Sequence, residues 1–125
     1  MTDIEKAVRR GGLSVEHRVV DGVRVVTVRG EIDHAVRDVL SEALLSEDGA
    51  APPLRVVADL SGVTFMDSSG INVFLAAHRR VSDAHGWLRI AAAQEPVLHV
   101  LRLVGVDALL ACHPTTEQAL NPEPA

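Results

Sequence analysis

The chain has 125 residues, with 17 acidic and 12 basic side chains and a formal net charge of −5 at pH 7. That length accommodates one domain, and a 47% hydrophobic content supplies its core and excludes a disordered chain. The acidic balance excludes a phosphate-backbone binder, which needs a basic face, and three aromatics (Phe65, Phe74, Trp87) are too few for a base-stacking platform.

In chain order, residues 1–12 are polar and end in Gly11-Gly12, so a flexible N-terminal segment is expected there. LSVEHRVV (13–20) and VRVVTVRG (23–30) are β-type runs joined by Asp21-Gly22, a pair that tolerates the positive φ of a tight hairpin turn. Ala35, Val39, Leu40, Ala43 and Leu44 then fall on one face of a helix over 34–47. SEDGAAPP (46–53) reads as a loop. LRVVADL (54–60) is a nearly continuous apolar run, the pattern of a strand buried on both faces.

The following residues, GVTFMDSSG, read as a short loop and a helix start. Ile71, Phe74, Leu75, His78 and Val81 continue at helical spacing until Gly86. WLRIAAA (87–93) predicts another strand, and Pro96 to Val104 a helix with Pro in its first turn and Gly105 beyond its end. Residues 107–112 predict a last short strand, and Thr115 to Leu120 a closing helical turn. Residues 121–125 (NPEPA) are expected to fray. The order implies an α/β domain: a small mixed sheet opened by a hairpin, with helices packed on it.

Cys112 is the single cysteine and suits a reducing cytosol. No secretory signal and no span of about 20 apolar residues is visible, so a cytoplasmic chain without a membrane partner is expected. The six histidines (17, 34, 78, 85, 99, 113) show no paired metal spacing. Neither a metal nor any other cofactor is expected.

The chemistry concentrates in Asp59-Leu-Ser-Gly-Val-Thr-Phe-Met-Asp-Ser-Ser-Gly70. With Asp67 as N-cap, Met66 and Ile71 take the positions of a hydrophobic staple. Ser68, Ser69 and Gly70 then form a first turn whose free N–H groups suit an anion. Asp-Ser-Ser-Gly is equally a plain helix start. Gly70, however, costs up to ~1 kcal/mol relative to Ala in a helix, which suggests close approach to the backbone. These residues alone reach as far as an exposed helix N-terminus suited to a phosphate.

The run DLSGVTFMDSSG resembles the signature of the STAS domain of anti-sigma factor antagonists, a family switched by serine phosphorylation. Gly30-Glu31-Ile32-Asp33 resembles the family's Gly-Glu-Leu-Asp, and Leu101 to Leu110 with Thr116-Glu117-Gln118-Ala119-Leu120 resembles its closing segment. The resemblance covers residues 13–120 and implies a single STAS domain with helices mainly on one face.

It also implies a partner switch. Ser68, the first serine of the motif, maps to the phosphoacceptor, with Ser69 as a secondary candidate. The implied kinase is an ATP-binding anti-sigma factor, which the unphosphorylated antagonist binds so that the sigma factor is freed; a serine phosphatase regenerates the antagonist. Asp33, His34, Asp67, Ser68, Ser69 and Gly70 are the implied partner surface, and Gln94 and Pro96 join its rim. Asp33 is at the same time a natural cap for the first helix. The family places a small hydroxyl or amide residue where Val36 stands and a small residue where Arg37 stands.

Three other readings meet the same residues. A serine hydrolase would need a Gly-x-Ser-x-Gly elbow and a base, and neither is visible around Ser68. Nucleotide sensing would need a Gly-rich phosphate loop, which is lacking. A STAS subunit docked permanently on a transporter or signalling complex shares the fold, but such subunits often lack a usable phosphoacceptor.

Overall fold

A computed structural model describes residues 4–10, 12–46 and 53–121 of the chain. Six strands, β1 (Ile4–Arg10), β2 (Leu13–Val20), β3 (Val23–Ile32), β4 (Arg55–Met66), β5 (Trp87–Ala91) and β6 (Cys112–His113), lie side by side in chain order. β1, β2 and β3 pair antiparallel, and β3 through β6 pair parallel. Helices α1 (Arg37–Leu45), α2 (Ser68–Asp83) and α3 (Glu95–Leu103) make the three parallel crossovers, and α4 (Thr116–Leu120) follows β6.

Asp21 and Gly22 sit at φ 51° and 81°, the doubly left-handed geometry that joins Val20 to Val23 in a two-residue hairpin. A parallel crossover is right-handed in nearly every fold, so three in one direction place their helices on the same face. The main core agrees. Leu40 and Leu44 of α1, Ile71, Phe74 and Val81 of α2, and Val97 and Leu101 of α3 pack on Val26, Val28, Val56, Ala58 and Ile90. The opposite face carries a smaller cluster, Val23, Val25, Val57 and Ala91, capped by Ala119 of α4.

Arg24, fully buried, lies at the α1 side of the sheet, where its Nη1 donates to the Ala43 carbonyl at 3.2 Å and its Nη2 meets His17 Nδ1.

Four expectations change. A flexible segment is expected over residues 1–12, yet Ile4–Arg10 form β1, joined to β2 where Arg10 pairs with Leu13. The backbone gains a partner there, since β2 would otherwise be an open sheet edge. The strand expected over 54–60 continues to Met66, because β4 stays paired with β3 as far as Ile32 after its pairing with β5 stops at Asp59. The helix expected over 34–47 opens instead with a 3-10 turn at His34–Val36 and is α-helical over Arg37–Leu45. The strand expected over 107–112 shrinks to Cys112–His113. Its first half coils into a 3-10 turn at Val106–Ala108, and Leu110 N–H donates to the Val106 carbonyl at 2.8 Å, which lets both side chains reach the core. Most of the 46–53 loop and of the 121–125 tail lies outside the described residues.

Candidate functional site

β3 and β4 end side by side, with Ile32 paired to Met66, and each strand is followed at once by an aspartate that caps a helix. Asp33 Oδ1 accepts the Ala35 N–H at 3.0 Å, and Asp67 Oδ1 accepts the Ser69 N–H at 2.8 Å. A further bond from Asp67 N–H to the Ile32 carbonyl, 3.2 Å, ties the two strand ends together. Neighbouring strands lie about 4.8 Å apart, so two carboxylates and two helix N-termini share one small surface. Asp33 thus caps its helix as its residue type suggests.

Within the first turn of α2, Ser68 is exposed, Ser69 half-buried and Gly70 buried. The Ser68 hydroxyl makes no hydrogen bond among the described residues, and the first-turn amides carry the positive end of a 16-residue helix. His34 is exposed beside them. Between α1 and α2 runs a shallow groove of about 410 Å³, lined by His34, Arg37 and Ser41 on one side and Ser69, Asn72 and Val73 on the other.

Gly70 has a different cause from the one its position suggested. A Cβ there would stand 2.5 Å from Met66 Cγ and 2.7 Å from Ile32 Cγ2. The group that approaches the helix backbone is therefore the protein's own core, packed beneath the caps, and not a ligand.

Gln94 and Pro96 open the next helix, α3. Gln94 is the N-cap of α3, and its Nε2 donates to the Ser61 carbonyl at 2.7 Å. Ser61 lies up to roughly 16 Å back along β4 from Met66 at the rise of a strand. The structure therefore brings Asp33, His34, Asp67, Ser68, Ser69 and Gly70 together, while Gln94 and Pro96 belong to the start of α3. Of the two departures from the family pattern, Val36 is buried in the core, whereas Arg37 is exposed and lines the groove.

Beside the site stands an exposed aromatic that the sequence pattern does not single out. Phe65 is 47% exposed just before the Met66-Asp67 corner. Gly30 pairs with Val63 and Glu31 with Phe65, so Thr64 is an extra residue in β4. That bulge shifts the alternation: Met66 turns into the core and Phe65 outward. The aromatic within a segment read as loop was the available signal, but the bulge that exposes it is a matter of strand register.

Among the described residues, no group of three or more His, Cys, Asp and Glu side chains is placed to hold a metal ion, and no helix is long and apolar enough to cross a membrane. Cys112, half-buried and remote in sequence from the site, has its thiol pKa pushed up by burial and by Asp107, with Arg102 pulling the other way.

Residues 14–119 match the STAS domain, and the chain belongs to that family. A Paenibacillus polymyxa protein named anti-sigma F factor antagonist is 25% identical over 109 residues, spanning 87% of this chain and 93% of that one. The anti-sigma-B factor antagonist of Bacillus subtilis (strain 168) is 32% identical over 87 residues, spanning 68% of this chain and 76% of its own length. The crystal structure of an anti-sigma factor antagonist from Mycobacterium paratuberculosis superposes with a TM-score of 0.75 at 30% identity, covering 86% of this chain and 91% of that one.

Proposed function

We propose that the protein is an anti-sigma factor antagonist, a non-enzymatic cytoplasmic regulator whose binding to an anti-sigma factor kinase is switched off by phosphorylation of Ser68. The observation that carries this reading is the exposed, unbonded Ser68 hydroxyl at the start of α2, beside the Asp33 and Asp67 caps. Relatives named as antagonists support the partner class.

The switch follows from charge. Phosphorylation adds about −1.5 to −2 at pH 7 on a surface that already holds two carboxylates. Within the antagonist, the positive end of α2 offsets part of that charge, so the domain need not refold. At a close interface nothing offsets it, and like-charge contact costs several kcal/mol, each 1.4 kcal/mol being tenfold in affinity. Asp33, His34, Asp67, Ser69 and Gly70 form the centre of the docking surface in this reading. Phe65 supplies an apolar contact, and Gln94 and Pro96 lie at its edge. A serine phosphatase returns the protein to its binding form.

The test is a titration of the ATP-binding anti-sigma factor with three forms of the chain. Ser68→Ala binds like the unmodified protein and stays bound when ATP is supplied; Ser68→Asp binds more weakly. Equal affinities for the two variants, or phosphate mapped to a residue other than Ser68, overturn the switch. Trypsin releases Val56 to Arg79 as one peptide carrying Ser61, Thr64, Ser68 and Ser69, and fragmentation of that peptide assigns the site. Purification with a transporter complex and no phosphate would instead favour the permanently docked subunit.

A further inference from the structure

The far end of β4 carries a second site with different chemistry. β4 begins at Arg55 and β5 at Trp87, and the two residues are paired, while Arg89 pairs with Val57. Arg55, Trp87 and Arg89 therefore share the sheet face that only the short α4 covers. They line a pocket of about 460 Å³, with Asp21 at its edge and apolar walls from Val20 and Leu120.

Arg89 is held in place before any ligand arrives. The Arg89 guanidinium lies 3.6 Å over the Trp87 ring centroid, and its Nη1 donates to the Ala119 carbonyl at 2.9 Å. Arg55 is half-buried, and its Nε is enclosed with no hydrogen-bond partner among the described residues. Gly22 leaves the room this guanidinium needs, since a Cβ there would stand 3.0 Å from Arg55 Nη2. Among the described residues neither arginine takes part in an ion pair, Asp21 included. Two cations share the pocket with one carboxylate, in a chain of net charge −5, and the Arg55 Nε has no acceptor to satisfy it. A buried donor without a partner is costly, and an immobilised guanidinium fork recognises a carboxylate or phosphate without further loss of side-chain freedom.

We propose that this pocket binds a small oxyanion, a carboxylate or phosphate group on a compact apolar body, with Arg55 and Arg89 as its donors. The site lies at the opposite end of β4 from Met66 and Ser68, so it stands or falls independently of the phosphorylation switch.

Trp87 is the chain's single tryptophan and reports on the pocket directly. The full chain is titrated with inorganic phosphate and, separately, with propionate, at constant ionic strength against chloride to remove general screening. A saturable change in Trp87 emission is expected with at least one of them. Saturation by phosphate alone points to a phosphate ester and by propionate alone to an organic acid; either supports the site. Arg55→Gln is expected to weaken binding about tenfold, the loss of a charge-assisted hydrogen bond. Arg89→Lys keeps the charge but not the fork and is expected to weaken it less. A linear response to both probes, or unchanged affinity in a folded Arg55→Gln protein, overturns the proposal.

Discussion

Replacing Gly70 by alanine sets two well-defined effects against each other. Alanine is the better helix former by up to ~1 kcal/mol, so an unobstructed position would become more stable. Here the added methyl would stand 2.5 Å from Met66 Cγ, 2.7 Å from Met66 Sδ and 2.7 Å from Ile32 Cγ2. Met66 and Ile32 are themselves buried at 3% and 0% exposure and cannot swing into solvent. Overpacking of this kind costs roughly 1–3 kcal/mol. With the close contacts to two buried side chains the packing term is the larger, and a net destabilisation of up to about 2 kcal/mol is expected. Urea unfolding reads this as a lower midpoint at unchanged slope, and calorimetry as a fall of up to roughly 8 °C in Tm. Truncating Met66 in the same chain removes two of the three close contacts, so the Gly70→Ala penalty measured in a Met66→Ala background is expected to be smaller. Gly70→Ala equal to or more stable than the parent, or a penalty that does not depend on Met66, would refute the packing argument.

Other outcomes follow from the same structure. Asp67→Ala is expected to lose about 0.5–2 kcal/mol in urea unfolding, while Asp67→Asn, which keeps a side-chain acceptor for the Ser69 N–H, loses much less. Arg24→Ala is expected to cost about 3 kcal/mol or more, because it opens a cavity beside His17 and strips the Ala43 carbonyl of its 3.2 Å donor; a loss below 1 kcal/mol would count against that role. Phe65→Ala is expected to leave stability within about 1 kcal/mol and to weaken kinase binding about tenfold, as for an interfacial aromatic; titration and urea unfolding separate the two. The Cys112 thiol, raised by burial and then Asp107, stabilises the fold fully below the pKa of the unfolded thiol. That contribution is lost as pH rises through the higher folded value. Iodoacetamide alkylation against pH is therefore expected to have its midpoint above that of the urea-unfolded chain, and coincident midpoints would contradict the burial argument.

The α2 start was legible because its determinants are local. Asp67 as N-cap, the Met66–Ile71 pair and the helical spacing through Val81 all lie within neighbouring turns, and the observed helix begins at Ser68. The Asp21-Gly22 turn is legible for the same reason, since its backbone geometry is a property of the two residues themselves. The order of strands and helices from β2 onward, the apolar run from Leu54 to Leu60 and the family signature likewise needed only the chain.

Pairing between distant segments was not legible. β1 exists because β2 offers an edge to residues with little pattern of their own. Phe65 faces outward because Thr64 is bulged against a strand more than thirty residues earlier. Gly70 is glycine because Ile32 and Met66, brought together by the parallel pairing, occupy the space of its side chain. Gln94 lies beside Ser61 because β5 stops pairing with β4 at Asp59. The sequence by itself determined the local elements, the family and the serine on which the proposed switch turns, because caps, turns and periodicity act within a few residues. Which side chains surround that serine, and the arginine-lined pocket at the other end of the sheet, were decided only when strand register set residues far apart in the chain against one another.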